Sequence, residues 1–294
     1  MKKDKKSLLV LCVTKNSGKQ LEKTLKKFAK INKYFSDFKV LVYENNSTDT
    51  TKVVLKTAKD KYTFVDYYSF DYTKEEIDTI APFKHKPRMI PCGIQMIAYG
   101  RNFLREKAKD FAENYENVLV FDPDVFYFNP YEIVKRLDKF INNDYNVMSV
   151  NGLTKALKYR DAYAYRSQEN FYGPEYLGET WWKEDVHKIQ KRYIAKKLVP
   201  VYSAFGGAAF YKTKEYITAT YSALHTTESF DWQEDLLKSV PALERKDAAK
   251  IREPIENTNY TAPVVCEHVP FHYELYKKGY TKQYVDTSWK ILFL

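Results

Sequence analysis

Apolar runs alternate with amphipathic stretches through the first half of the chain. The runs at 8–13, 38–43 and 118–121 are typical of buried strands. Residues 20–31, and a stretch that begins near Thr51, instead repeat apolar side chains every three or four positions, as a helix with one buried face does. This strand–helix–strand–helix order predicts an α/β fold, with a Rossmann-like, mostly parallel central sheet, right-handed crossovers and flanking helices.

The remaining elements follow less regularly. They are a strand at 65–72, a helix at 93–111, a helix at 131–141, a strand within 144–151 and an apolar strand at 201–211. Residues 74–91 are charged and interrupted by proline, which predicts a loop or a partial helix. A length of 294 residues suits one large α/β domain or two intimate ones.

Two carboxylates follow the strand at 118–121 directly, in the sequence Asp122-Pro123-Asp124. Carboxylates at the end of a buried strand are costly unless a cation meets them, and ligands of open α/β sheets bind at the carboxyl ends of the strands. Mg²⁺ and Mn²⁺ are commonly held by one or two carboxylates together with substrate phosphates. The motif therefore predicts a metal–diphosphate site, and the alternative is a turn that only ends the strand.

The turn after the second strand, residues 44–49, is unusually polar. Acceptor side chains at this place can bind a base N–H or ribose hydroxyls, while the exposed helix N–H groups favour anions. The alternative is that Thr48 or Asp49 simply caps the following helix.

Arg101 falls among the inward-facing positions of the helix at 93–111. An arginine that faces inward needs a carboxylate or a phosphate as partner. An ion pair with Asp122 and a contact with substrate phosphate are both open.

Charge, cysteine content and the lengths of the apolar runs limit the partners and the cellular compartment that we expect. The net charge of +10 is compatible with nucleic acid, an anionic membrane face or a phosphate-bearing substrate, but zinc-finger spacing and a basic region with heptads are both absent from the sequence. The three cysteines, Cys12, Cys92 and Cys266, argue against a disulfide framework and fit a reducing compartment. The apolar run after the basic start is better interpreted as the first strand than as a signal peptide, and none of the apolar runs reaches membrane-spanning length, so we expect a cytoplasmic protein.

The ordered set of first strand, ENNSTDTT turn, AYGRN helix and VLVFDPDVF strand end resembles GT-A-fold glycosyltransferases that use nucleotide-sugar donors. More narrowly, residues from about 8 to 272 are similar to the fungal capsule α-1,3-mannosyltransferase-like family and its viral relatives. The resemblance implies a single GT-A domain over 1–294, with a nucleotide-sugar-binding half at 1–130 and an acceptor-binding half with a C-terminal lid at 131–294. It also implies Mn²⁺ or Mg²⁺ as cofactor, a GDP- or UDP-linked donor, and a glycan or glycoconjugate acceptor.

Site residues follow from that resemblance. The residues expected around the donor are Thr14, Glu44, Asn45, Asn46, Asp49, Arg88, Arg101, Asp122, Gly206 and Gly207. Asp122 would contact ribose or metal, Asp124 would ligate the metal, and the two arginines would meet phosphate or the donor sugar. The two glycines interrupt the apolar strand at 201–211, where close packing of strand on helix is the alternative explanation.

The second half of the chain offers acids, histidines and aromatic rings. Asp231, Glu234 and Asp235 lie within one helical turn, and an inverting transferase needs a carboxylate to accept the proton of the acceptor hydroxyl, although acids at a helix N-terminus are also favoured by its dipole. An apolar strand at 264–272 is expected to deliver His268 or His272 to the metal. Trp181 and Trp182 are candidates for acceptor stacking, or for filling the core.

The function predicted is metal-dependent transfer of a hexose from a nucleoside-diphosphate sugar to a hydroxyl group. Residues 273–294 would form a lid over the diphosphate, or a solvated tail. A nucleotidyltransferase is an alternative, although a Gly-rich phosphate loop with its lysine is not present at the first strand. A basic nucleic-acid-binding protein is the other alternative; it would explain the charge but not the acids at strand ends, so nucleic acid is not expected as a partner.

Overall fold

The computed structural model describes residues 6–82, 93–170, 173, 186, 189, 198–224, 235 and 264–293. In this part of the chain nine strands form one mixed sheet in the order β3-β2-β1-β4-β8-β6-β9-β5, and β7 pairs with β9. None of the described helices is long and apolar enough to cross a membrane.

The N-terminal half builds the parallel part of the sheet. Its strands are β1 (Leu8–Thr14), β2 (Phe38–Asn45), β3 (Val65–Phe70) and β4 (Asn117–Phe121). Its helices are α1 (Gly18–Ile31), α2 (Thr51–Lys61), α3 (Lys74–Ile80) and α4 (Ile94–Lys109), and a 3-10 turn at Asn32–Tyr34 follows α1. All four strands run in the same direction. The prediction of a mostly parallel sheet with flanking helices is confirmed.

The C-terminal half extends this sheet with mixed directions. Its elements are β5 (Tyr127–Phe128), α5 (Pro130–Asn142), β6 (Val147–Leu153), β7 (Leu198–Pro200), β8 (Ala208–Lys212), α6 (Thr213–Tyr216), α7 (His268–Lys277) and β9 (Gln283–Leu292). β8 runs antiparallel to both β4 and β6, so β6 has the direction of β4. The carboxyl end of β6 therefore lies at the same edge of the sheet as the ends of β1, β2 and β4.

Both faces of the sheet are buried, and this explains the continuous apolar runs. In β4, Leu119 and Phe121 join one core with α1, whereas Val118 and Val120 join a second core with α4 and α7. Side chains of a strand alternate between faces, so a strand covered on both sides is apolar at every position.

The last two segments differ from their predictions. Residues 268–277 form a helix rather than the end of a strand, and residues 283–292 form a strand of the sheet rather than a lid or tail. The first six residues of α7 are all buried, so their apolar pattern has no helical period. Pro270 lies in the first turn of α7, where its missing N–H removes no helical hydrogen bond.

Candidate active site

A cleft of about 610 Å³ opens at the carboxyl ends of the parallel strands. Thr14 ends β1, Asn45 ends β2 and Asp122 follows β4, and all three line the cleft. This is the edge at which ligands of open α/β sheets bind. The further lining residues used below are Val13, Lys15, Ile77, Ile94, Ile97, Arg101, Asp124, Arg160, Asp161, Phe205, Cys266, Glu267 and His268.

Asp122 is held on two sides at the end of β4. Its backbone N–H donates to the carbonyl of Gly207 at 2.8 Å, and its Oδ1 accepts from Arg101 Nη2 at 3.1 Å. Burial raises the pKa of Asp122 to about 7, because the attraction of Arg101 offsets only part of the cost of burial and the nearby Asp124 adds to it. Asp124, in the turn that follows, is exposed in the same cleft.

Arg101 lies between two carboxylates. Its Nε donates to Glu267 Oε1 at 2.9 Å, while its Nη2 reaches Asp122, and only 4% of its side chain is exposed. Burial disfavours the guanidinium charge, but Glu267 and Asp122 outweigh burial and raise the pKa of Arg101 above its usual value. Its Nη1 is buried without a hydrogen-bond partner in the described part of the protein. The ion pair with Asp122 considered from the sequence is present, and one donor remains.

The two candidate histidines lie in different surroundings. His268 lines the cleft, stacks on Phe205 with ring centroids 4.0 Å apart, and has both ring nitrogens buried without a hydrogen-bond partner among the described residues. His272 instead lies in the core, where its nitrogens contact Tyr211 Oη at 2.7 Å and Ser203 Oγ at 3.2 Å.

Both histidine rings are uncharged at neutral pH. Burial lowers the pKa of His272 to about 3 and that of His268 well below its usual value, and Arg101 acts in the same direction on both. Uncharged imidazole is the form that ligates metals. Since the nitrogens of His272 are already used in the core, His268 is the histidine placed to meet a ligand of the cleft.

Most polar side chains of the turn at 44–49 hold the protein together. Glu44 is buried and accepts from the backbone N–H of Ser47 at 2.7 Å and from the hydroxyl of Ser69. Asp49 accepts from the backbone N–H groups of Gly18 at 3.0 Å and Thr51 at 2.9 Å, so one carboxylate ties the starts of α1 and α2 together. Neither Glu44 nor Asp49 lines the cleft, whereas Asn45 does.

The loop after β1 is locked to the same turn. Asn16 Oδ1 accepts from the backbone N–H of Thr48 at 2.7 Å, and the backbone N–H of Asn16 donates to Ser47 Oγ at 2.9 Å. Asn16 and Asn46 both adopt positive φ, at 51° and 50°, in which asparagine is more readily accommodated than most residues. The side chain of Asn46 bonds to the backbone carbonyl of Tyr72 at 2.7 Å. The loops after β1 and β2, which contribute Lys15 and Ser17 and follow Asn45 in the cleft lining, are therefore fixed to each other.

The two glycines precede β8 instead of interrupting a strand. Gly206 has φ +69° and packs against the backbone of Gly152, and Gly207 has φ +99° and packs against Phe293. Neither lines the cleft, and both are closely packed, but against β6 and the end of β9 rather than against a helix. Gly207 acts on the site through its carbonyl, which fixes the backbone of Asp122.

Several predicted residues lie outside the described part of the chain. They are Arg88, Trp181, Trp182, Asp231 and Glu234. Asp235 is described as a helical, exposed residue and is not among the cleft residues.

Sequence reasoning did not select Lys15, Arg160, Asp161 or Phe205, which also line the cleft. The guanidinium of Arg160 lies 3.7 Å from the ring centroid of Phe293, and Asp161 Oδ2 accepts from the backbone N–H of Gly206 at 2.9 Å. Both follow β6, so the direction of this strand is the signal that would have placed them. Glu267 precedes His268 in the chain, and its role in the site comes from its ion pair with Arg101.

Acids and a histidine thus surround the cleft without forming a closed cage. Within the described ranges, three or more His, Cys, Asp or Glu side chains do not converge on a possible metal position. Burial and the neighbouring Glu267 raise the pKa of the Cys266 thiol well above its usual value, so this lining residue is uncharged.

A family model described as Cryptococcal mannosyltransferase 1 matches residues 10–253, well over half of the chain. This match confirms the resemblance inferred from the strand-end motifs. The comparison with curated proteins finds no match.

Three solved structures show limited similarity. Staphylococcus aureus TarS 1–349 is 16% identical, with a TM-score of 0.44 over 79% of this chain and 53% of that chain. The mannosyltransferase PcManGT from Pyrobaculum calidifontis, in complex with GDP-Man and Mn²⁺, is 13% identical, with a TM-score of 0.41 over 74% and 48%. Glucosyl-3-phosphoglycerate synthase from Mycobacterium tuberculosis, in complex with Mn²⁺, UDP and phosphoglyceric acid, is 10% identical, with a TM-score of 0.40 over 74% and 59%. The chain spans about half the length of these structures.

Proposed function

We propose, from the premise that the chain belongs to the Cryptococcal mannosyltransferase 1 family, that it is a metal-dependent glycosyltransferase. It would move a hexose from a GDP- or UDP-linked donor to a hydroxyl group of a glycan or glycoconjugate, and the family description names mannose as the sugar. The observation that carries the proposal is the meeting of Asp122, Asp124, Arg101 and His268 in one cleft, where the ring nitrogens of His268 have no hydrogen-bond partner among the described residues.

The donor set of the cleft fits Mn²⁺ or Mg²⁺ completed by substrate. Arg101 bonds one oxygen of Asp122, Asp124 is exposed, and His268 has two buried nitrogens without partners among the described residues. Such ions are commonly held by one or two carboxylates plus phosphate oxygens, which agrees with the lack of a closed protein cage in the described ranges. Asp124, with one of Asp122 and His268, would hold the ion together with phosphate oxygens of the donor. When bound, the metal would neutralise charge on the leaving nucleoside diphosphate.

Arg101 is assigned to the diphosphate. Two of its nitrogens are fixed by Glu267 and Asp122, so the guanidinium is ordered before a ligand arrives, and its Nη1 has no partner in the described structure. A preorganised donor placed where negative charge develops lowers the barrier without reorganisation during the reaction. Lys15 and Arg160 line the same cleft and add positive charge.

The nucleoside is assigned to the end of the cleft near β1 and β2. There, Thr14 and Asn45 supply polar groups beside the apolar side chains of Val13, Ile77, Ile94 and Ile97. An apolar wall with a few placed polar groups is the usual composition of a small-molecule site. We therefore give Asn45 the direct contact, and we give Glu44 and Asp49 the task of holding the loops.

The proton of the acceptor hydroxyl is assigned, from the sequence motif, to Glu234 or to Asp235, the second of which does not line the cleft. Glu267 is committed to Arg101, and Asp161 accepts from the backbone N–H groups of Gly206 and Ala164, so both of these cleft carboxylates have structural partners. A general base must lie within hydrogen-bond reach of the proton that it takes. Glu234→Gln and Asp235→Asn, assayed separately, should identify the base by a loss of turnover with donor binding retained.

The proposed function is tested by donor binding and product analysis. Thermal shifts are measured with UDP-, GDP- and dTDP-sugars in Mn²⁺, Mg²⁺ or EDTA, because a ligand that binds only the folded state raises its apparent stability. We expect a metal-dependent shift with one nucleotide, and release of nucleoside diphosphate on turnover. Asp124→Ala should abolish both, whereas the exposed control Asp60→Ala should retain both. Metal-dependent turnover by Asp124→Ala would reject the metal assignment, and release of pyrophosphate would indicate a nucleotidyltransferase.

A further inference from the structure

An exposed aromatic patch lies where the end of α1 meets the segment between β4 and α5. Tyr34, Tyr127 and Tyr131 are 45%, 54% and 50% exposed, and Phe126, next to Tyr127 in the chain, is 50% exposed. The rings of Tyr34 and Tyr131 are in contact, with centroids 6.0 Å apart. Lys27 of α1 lies over Tyr127, with its Nζ 4.8 Å from the ring centroid. These contacts join the two segments into one surface.

The same surface is rich in lysine. Residues 18–34 contain six lysines and a single acid, Glu22, which pairs with Lys26. The remaining lysines are Lys19, Lys23, Lys27, Lys30 and Lys33, and no described carboxylate pairs with any of these five. Burial lowers the pKa of Lys27, and the nearby positive charges of Lys30 and Lys23 lower it further. We call Tyr34, Phe126, Tyr127, Tyr131, Lys23, Lys27, Lys30 and Lys33 the tyrosine–lysine patch.

We propose that the tyrosine–lysine patch docks the protein on a membrane surface that contains anionic phospholipid. Tyrosine places an apolar ring and a polar hydroxyl across the headgroup region, and a half-exposed phenylalanine adds apolar area. Lysines close to such a surface are attracted by the negative charge of its lipids. The aromatic side chains and the lysines would act together, because peripheral membrane binding combines apolar burial with electrostatic attraction.

A single-stranded nucleic acid fits this surface less well. Stacking of successive bases uses open ring faces. Lys27 already covers one face of Tyr127, and the rings of Tyr34 and Tyr131 meet edge to face at 82°. The rings are therefore arranged better for partial insertion into a lipid headgroup region than for stacking on successive bases.

The position of the patch connects it to the cleft. Phe126 follows Asp124 by two residues, so the patch begins beside the rim of the candidate active site. Docking would bring the cleft close to the bilayer surface. The proposal does not depend on the reaction, since vesicle binding can be measured without donor or acceptor.

Vesicle co-sedimentation tests the proposal. The full chain is mixed with vesicles of phosphatidylcholine alone, or with phosphatidylglycerol as a minor component. We expect binding to the anionic vesicles that weakens as ionic strength rises through about 0.15 M. Lys30→Gln with Lys33→Gln should lower binding about 25-fold, or about fivefold for each lysine. Tyr127→Ser with Tyr131→Ser should lower binding at unchanged charge.

Matched variants exclude effects of charge or exposure alone. Lys56→Gln with Lys155→Gln removes two exposed charges elsewhere, and Val53→Ser removes an apolar side chain that is 66% exposed. Both should bind anionic vesicles as the parent does. Equal losses in patch and control variants would overturn the proposal, as would failure of the parent to bind. Binding of a single-stranded oligonucleotide but not vesicles would assign the patch to nucleic acid instead. Donor thermal shifts, measured in parallel, report separately on the proposed function.

Discussion

Replacing Arg101 with methionine should destabilise the protein strongly at neutral pH. Methionine keeps the unbranched stem of the side chain without its charge, and it is apolar like the neighbouring Phe205, whose ring centroid lies 4.7 Å from the guanidinium carbon. What disappears is the charge between Glu267 and Asp122. The folded state then contains buried negative charge without its counter-ion.

The size of the loss follows from the burial of the two acids. The side chain of Glu267 is 5% exposed, and removing one partner of a buried ion pair costs about 3–5 kcal/mol. Asp122 adds less, because its side chain is 25% exposed and its pKa of about 7 lets it take up a proton. We therefore expect a loss of about 4 kcal/mol in the free energy of unfolding, from a total that is typically 5–15 kcal/mol.

The assay is urea unfolding in EDTA, followed by circular dichroism, on Arg101→Met, Glu267→Leu and the double variant. The double variant lacks both the buried cation and the buried Glu267 carboxylate, so it should lie within about 2 kcal/mol of the parent. The deficit of Arg101→Met should also shrink as pH falls below about 7, because Asp122 becomes protonated. A loss below about 1 kcal/mol at neutral pH, or simple additivity in the double variant, would refute the reasoning.

Three further variants test other parts of the structure. Folding raises the pKa of Asp122 from 3.8 to about 7, so its contribution to stability is complete below the unfolded pKa and is lost as pH rises through about 7. In EDTA, Asp122→Asn should lack this decline in the free energy of unfolding. Parallel pH profiles of stability for parent and variant would contradict this prediction. Gly152→Ala would place Cβ 2.0 Å from the carbonyl oxygen of Gly206 and should lower the free energy of unfolding in urea by about 3 kcal/mol. Gly93→Ala is the control and should be nearly neutral, because its added Cβ has no described atom within 4 Å. Asp49→Ala should cost about 1–2 kcal/mol by uncapping two helix starts, and Asp49→Asn, which keeps one acceptor oxygen, should cost less; equal losses would argue against capping.

The strands and helices of the parallel half of the sheet could be predicted from the sequence, because each has an apolar pattern within its own residues. The apolar run at 118–121 is one residue shorter than β4, and the helix predicted at 20–31 is two residues shorter than α1. Once the strands are known to be parallel, their carboxyl ends must share one edge. The cleft between Thr14, Asn45 and Asp122 follows from that geometry.

The secondary structure was predicted wrongly for two segments, one that is buried on all sides and one whose composition is typical of an exposed tail. The residues that open α7 are buried on every side, so an apolar run could not distinguish a strand from a helix there. The strand β9 follows Lys277, Lys278 and Gly279, whose composition suggested a tail. Residues of β9 become buried because β6 and β7, which are distant in the chain, pair with it.

Site residues were harder to predict than strands because one side chain can satisfy either a ligand or the protein. The carboxylate of Asp49 has the chemistry to bind ribose, yet in the structure it binds backbone N–H groups of two helices. Arg101 was recognised as needing a partner, but Glu267 is 166 residues away in the chain, and only the packing of α7 against α4 brings the two together. The same packing places His268 in the cleft lining, 3.5 Å from Glu267 and without a hydrogen bond among the described residues. The chemistry of the cleft therefore depends on a long-range contact that no local pattern records.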